Sequence, residues 1–129
     1  MCGVVFELNH IDIVTLKEYC AEVAKRLGTS GIITINDPQN KVNRVFVQGG
    51  SFNEDSIDAV VKAKVDTVIS GEIKHHICVA LDEMGINTII AGHSATEQAY
   101  LPKMSKLLSD KYQGIDITVN YNNEVSSIL

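Results

Sequence analysis

Between residues 42 and 109 one short pattern occurs three times, and it constrains the fold more than any other feature. "VNRVFV" (42–47) meets Gly49-Gly50, then a stretch of helical periodicity over 54–64. "DTVIS" (66–70) meets Gly71-Glu72, then a second such stretch over 73–84. "NTIIA" (87–91) meets Gly92-His93, then a third over 94–109. The unit recurs about every 21 residues, and strand–helix alternation of this kind calls for a mostly parallel sheet with helices packed against it. The unbroken apolar runs suit strands buried on both sides. The expected fold class is therefore α/β: a single three-layer domain over residues 1–129, with a mostly parallel sheet and helices on both faces.

The remaining segments are read in the same way. "CGVVFEL" (2–8) is rich in β-branched and aromatic residues and predicts a strand. "TLKEYCAEVAKRLG" (15–28) predicts a helix. It starts with a Thr15/Glu18 capping box, carries an apolar stripe of Leu16, Tyr19, Cys20, Val23 and Leu27, and ends at Gly28. "GIITIN" (31–36) reads as a strand, "DPQN" as a turn, and 31–47 as a hairpin-like pair. "IDITVN" (115–120) predicts a last strand before the polar tail "YNNEVSSIL".

Composition narrows the function classes. The chain has 129 residues, enough to bury a core without disulfide or metal staples. No 18-residue apolar run predicts a membrane-spanning helix. The stretch "MCGVVFELNH" lacks the basic n-region of a secretory signal. The net charge is −5, and the eleven Lys and Arg residues form no cluster, which argues against nucleic-acid binding. Three cysteines, an odd number with no C-x-x-C pair, fit free thiols in a reducing cytoplasm. Cys78 lies in an apolar helical stretch and reads as a small core residue.

The functional candidates gather where the repeats turn. Open α/β sheets bind ligands outside the carboxyl ends of their strands, and all three glycine junctions are expected at that edge. Neither G-x-x-x-x-G-K-[ST] nor G-x-G-x-x-G occurs, so no phosphate-loop or dinucleotide fingerprint is present. The second junction reads "SGEIKHH", residues 70–76, and the third "AGHSATE", residues 91–97. His93 and Glu97 stand at i, i+4, which aims an imidazole and a carboxylate at one point. Ser94 and Glu97 also have capping-box spacing, so Glu97 has two competing uses, starting a helix or holding a metal. Glu72 at a helix start could serve the macrodipole alone. His75 and His76 are about 100° apart on a helix and cannot both face one site. His10 reads as a solvated loop residue. If Glu72, His76, His93 and Glu97 converge, they are ligand types for zinc, manganese, iron or nickel. The positive ends of two helix dipoles oppose a bare cation by about 1 kcal/mol, but filled metal sites can reach ~10 kcal/mol, so the dipoles do not decide the matter.

The motifs "GGS", "SGEIKHH", "AGHSATE" and "LPKMSKLL", with "TLKEYCAEVAKRLG" and "NDPQNKVNRVFVQGGS" before them, resemble the NIF-three-like family. These are dinuclear-metal-centre proteins, in bacteria often called GTP cyclohydrolase 1 type 2 homologues. The resemblance runs from about Gly3 to Ile117 and corresponds to the C-terminal half of the family. Its most specific part is G-H-x-x-T-E, supported by G-E-x-K-x-H. It implies that His93 and Glu97 are metal ligands in a two-metal site, with Glu72 and His76 lining the cavity. His75 falls where the family often has tyrosine. The resemblance further implies an α/β protein of two similar halves and a ring-like oligomer. The family's first half carries a His-His pair and an aspartate that complete the ligand set, and no matching segment occurs here.

Two functions follow as expectations. One is a metal-dependent hydrolase acting on a phosphate-bearing or heterocyclic small molecule. There His93 and Glu97 bind one divalent ion, or two if another chain completes the site, and Glu72 or His76 acts as general base or further ligand. The other is a non-catalytic binding or assembly module that keeps the fold but lacks a full metal site. Either way an anionic small molecule and a homo-oligomer are the expected partners, the latter because a lone half would expose apolar surface.

Overall fold

Three strands, Arg44–Ser51 (β5), Thr67–Glu72 (β6) and Asn87–Ile90 (β7), run parallel and form the centre of a five-stranded sheet. The structure, a computed structural model, describes residues 3–8 and 14–121. His10, Cys2, the start of the first predicted strand and nearly all of the polar tail lie outside the described residues. Val4–Glu7 (β1) pairs antiparallel with β5 at one edge, and Ile33–Thr34 (β3) pairs antiparallel with β7 at the other. The order is β1-β5-β6-β7-β3. A separate two-stranded ladder joins Val14–Thr15 (β2) to Lys41–Val42 (β4).

The predicted hairpin over 31–47 does not form. Its first half pairs with β7 and its second half contributes to β4 and β5, on the far side of the sheet. The choice of edge depends on partners distant in sequence, which local pattern does not contain. The last predicted strand, 115–120, does not form: these residues have no regular secondary structure and are largely exposed. The predicted helix over 94–109 is two helices, His93–Gln98 (α4) and Leu101–Lys111 (α5). Pro102 sits in the first turn of α5, where its missing N–H costs nothing, and it cannot continue a helix from α4.

Alternation along the strands divides the core. Phe46, Val68, Ile77 and Leu81 pack on the face covered by Ile57–Lys62 (α2) and His75–Glu83 (α3). Val45, Ile69, Ile89 and Leu16 pack on the face covered by Leu16–Leu27 (α1). Each fully buried Leu or Ile stabilises by about 1.5–3 kcal/mol, and Leu16, Ile77, Leu81 and Ile89 are at most 1% exposed. The two faces give the expected α/β layering. Cys78 lies in the core, 2% exposed, as its apolar context predicts.

α1 starts as its sequence dictates. Thr15 is the N-cap, its hydroxyl accepts from the Glu18 amide, and the Glu18 carboxylate accepts from Thr15 N at 2.9 Å. Gly28 closes the helix in the left-handed conformation.

Candidate metal site at the strand ends

The carboxyl ends of the three central strands meet at one edge, and α4 crosses them there. β5 breaks register with β6 between Gln48 and Ser51, so Gly49 and Gly50 form a bulge beside α4. Ser70 Oγ donates to Gly50 O at 3.1 Å, which fastens this bulge to β6. α4 begins directly after Gly92, which stands at φ +92°, so His93 is the first helical residue. Glu72 is the last residue of β6.

This placement brings three of the four candidate side chains together. His93 Nδ1 lies 3.3 Å from Glu72 Oε2, and His93 Nε2 lies 3.2 Å from Glu97 Oε1. Ser51 Oγ donates to Glu72 Oε2 at 3.0 Å. One imidazole is thus held between two carboxylates. Its proton is bound more tightly than an ordinary histidine's, because Glu72 accepts from the ring and the charges of Glu97 and Glu72 add to this, against a smaller desolvation effect. In the other direction, His93 first and Ser51 second hold the Glu72 carboxyl below the usual glutamate range. The group is an open, solvated edge: the side chains of His93, Glu72 and Glu97 are 43%, 62% and 56% exposed.

His76 goes elsewhere. α3 starts three residues beyond the strand end, with Lys74 as N-cap and no side-chain capping bond. His76 Nε2 lies 3.8 Å from Glu54 Oε2, in the 3-10 turn Glu54–Ser56 that precedes α2. Both residues are mostly exposed. His75 is also exposed.

The spacing of Ser94 and Glu97 offers a capping box, but none forms, and Ser94 does not cap α4. The N-cap is Gly92, two residues before Ser94, and makes no side-chain capping bond. With the helix starting that early, Ser94 is inside the first turn and Glu97 is free to reach His93.

Whether a metal suits this group can be tested on the structure. Two donors bound at about 2.0–2.1 Å to one tetrahedral ion lie about 3.3 Å apart, close to the 3.2 Å between His93 Nε2 and Glu97 Oε1. The space beside them exists because residue 50 is glycine. A Cβ there would come within 2.6 Å of Glu97 Oε1 and 3.3 Å of His93 Nε2, on a backbone at φ +68°. The Nδ1–carboxylate contact with Glu72 is the orientation a metal-ligating histidine commonly has. Donor type and spacing therefore fit. Donor number falls short: among the described residues no three His, Cys, Asp or Glu side chains gather in a way that could hold an ion.

The sequence matches the family profile Duf34/NIF3 (NGG1p interacting factor 3) over residues 1–125. The chain belongs to the Duf34/NIF3 family. Among curated Duf34/NIF3-type relatives, a GTP cyclohydrolase 1 type 2 homolog of Clostridium acetobutylicum is 32% identical over 114 residues, covering 85% of this chain and 42% of that protein. One from Bacillus subtilis is 26% identical over 110 residues, covering 83% of this chain and 29% of that protein. The crystal structure of a Bacillus cereus protein related to NIF3 superposes with a TM-score of 0.75 at 23% identity, covering 84% of this chain and 29% of that one. That last likeness is one of fold. The chain thus spans less than half the length of these relatives.

Sequence reasoning located Glu72, His93 and Glu97 but passed over the residues that hold them. Ser51 anchors Glu72. Thr96 accepts from Gly50 N at 3.0 Å. Ser51 directly follows the strand-end Gly50, which was its available signal, whereas Thr96 stands four residues past Gly92 and carried no such signal.

Proposed function

We propose that this chain is a metal-binding protein in which His93 and Glu97 are the ligands it contributes to a divalent transition-metal site of the zinc, manganese, iron or nickel class. The observation that carries this is the imidazole fixed between two carboxylates, with Nε2 and the Glu97 oxygen facing the gap left by Gly50. Glu72 orients the ring through Nδ1, and the hydroxyl of Ser51 orients Glu72. The group already favours one cation, the extra ring proton, and a metal would take that proton's place. His76, turned toward Glu54, is a weaker candidate for catalysis than Glu72.

The remaining ligands would come from a second copy or from another chain, and a homo-oligomer that completes the site, with room for a second ion, is part of the proposal. The reaction class we infer is hydrolysis of a phosphate-bearing or heterocyclic small molecule, supported by the names of the curated relatives and by the open, solvated edge. When bound, the metal would supply a Lewis acid at neutral pH. The chain's own share is to hold the ring, exclude a side chain at residue 50 and accept a proton at Glu72. A reducing cytoplasm is the proposed setting, in keeping with the free thiols of Cys20 and Cys78. Among the described residues, no helix is long and apolar enough to cross a membrane.

Metal analysis of protein purified without chelator tests the ligand assignment. Metal in the wild type that disappears in His93→Ala supports it, whereas equal and negligible metal in both removes it. The missing third ligand favours a second reading, a binding or assembly module without catalysis. Turnover of a nucleotide or phosphoester panel that Glu97→Gln abolishes would rule that reading out.

A further inference from the structure

The hydroxyl of Thr96 lies where the bulge in β5, the end of β6 and the first turn of α4 come together. It accepts a hydrogen bond from the buried Gly50 N–H at 3.0 Å. The same oxygen lies 3.0 Å from Gly92 O and 3.0 Å from His93 O, toward which its single proton is directed. A Cβ at Gly71 would fall 2.6 Å from this oxygen, 2.6 Å from Gly50 O and 2.7 Å from His93 Cα. Strand and helix therefore touch here with no side chain between them.

We infer that Thr96 is a positioning residue for the His93–Glu97 pair. It rests on the metal-ligand reading above for its functional meaning, but its physical basis is separate. The register of β5 with β6 shifts at Gly49-Gly50, and side chains from β6 and α4 bond both backbone groups of Gly50 there. Ser70 donates to the carbonyl and Thr96 accepts from the amide. Gly50 is also the residue that borders Glu97 Oε1 and His93 Nε2. Thr96 precedes Glu97 directly and follows His93 by three residues, one helical turn. One hydroxyl thus ties the wall of the site to the helix that carries both ligands. Without it, a buried N–H loses its acceptor and the bulge is free to move relative to α4.

The experiment compares wild type, Thr96→Ser, which keeps the hydroxyl, with Thr96→Val and Thr96→Ala, which remove it. Circular dichroism checks folding, and the smaller alanine covers the case in which valine does not fit. Two quantities are read on the full chain: the exchange rate of the Gly50 amide in metal-free protein, and zinc affinity by competition with a chelator. Loss of the hydroxyl is expected to speed Gly50 exchange at least ~10-fold and to weaken zinc binding ~10-fold or more, as for residues that orient a metal ligand. Thr96→Ser is expected to stay within about twofold of wild type in both, since it retains the accepting oxygen. Faster exchange with unchanged zinc affinity would make Thr96 merely structural and overturn the inference. So would a serine variant as weak as the valine one, or unchanged exchange in all variants. If His93→Ala bound zinc as tightly as wild type, the ligand reading would fall, and Gly50 exchange alone would decide whether Thr96 holds the bulge to α4.

Discussion

At the start of α1, the Glu18 carboxylate folds back to the backbone of Thr15. At the start of α4, the Glu97 carboxylate turns away from the helix end and meets a histidine. The two segments share S/T-x-x-E spacing. Their fates differ because the helices begin at different places relative to that spacing. Thr15 is the N-cap of α1, so its hydroxyl and Glu18 can satisfy each other's amides. In α4 the chain turns helical at His93, directly after a glycine with positive φ. Ser94 is then already inside the helix, and the capping geometry is unavailable to it. A carboxylate released from capping can serve chemistry. The backbone turn at Gly92, more than the side chains of the motif, decides that Glu97 meets His93 and does not cap the helix.

The sharpest way to break this contrast is to remove each carboxylate in turn. Under the proposed function, Glu97→Ala should lower zinc affinity at least ~100-fold, since a direct ligand is lost, with little change in unfolding midpoint. Glu18→Ala should leave zinc affinity unchanged and lower the midpoint. Chelator competition alongside urea unfolding checks both. Equal effects of the two substitutions on zinc would dissolve the distinction.

Next in size is the space beside the pair. Gly50→Ala should cost about 2 kcal/mol of stability, from a left-handed backbone and a contact of 2.6 Å with Glu97 Oε1. Gly85 provides the control. It too has positive φ, at +71°, but nothing lies within 4 Å of its Cβ position. Gly85→Ala should cost about 1 kcal/mol, the backbone strain alone. A smaller penalty at Gly50 than at Gly85, measured by urea unfolding, would mean that the walls of the site yield easily.

The caps themselves come third. Thr15→Ala should cost about 1 kcal/mol, the usual price of an N-cap side chain. Ser94→Ala should stay within about 0.5 kcal/mol, as for a surface position with no special role. Thermal unfolding distinguishes these outcomes.

The same contrast shows what was legible in the sequence. The β5–β6–β7 order followed from the repeat, because strand, glycine and helix alternate at a spacing that only parallel crossovers accommodate. Glu72, His93 and Glu97 could be placed because they fall at the strand ends such a sheet aligns. The capping role of Glu18 was readable because local spacing and helix start coincide there. Four things were not readable. The edge that residues 33–34 join depends on β7, more than fifty residues away in sequence. The isolation of 115–120 depends on whether a strand edge is open to it. The direction of His76 depends on α3 starting three residues past the strand, which puts its ring beside Glu54. The Gly50–Thr96 contact joins residues 46 apart and was invisible for the same reason.

The smallest expected effect separates the two carboxylates by pH. The Thr15 backbone and hydroxyl bonds hold the Glu18 carboxyl below its ordinary value of 4.5. A group depressed by folding contributes stability that is fully present above its unfolded value and lost as pH falls through its folded value. Glu18→Gln removes this ionisation while keeping a side chain that can still accept from Thr15 N. Wild type should therefore be slightly more stable than Glu18→Gln at neutral pH. The gap should begin to close near pH 4.5 and vanish at lower pH. Ser94→Ala, compared with wild type in the same way, should show a difference that does not change over that range, since Ser94 makes no capping bond with Glu97. Urea midpoints of the three proteins across the acid range measure both differences. A Glu18→Gln gap that stayed constant with pH would show that the α1 box stabilises by shape alone, and the charge-based half of the comparison with α4 would be lost.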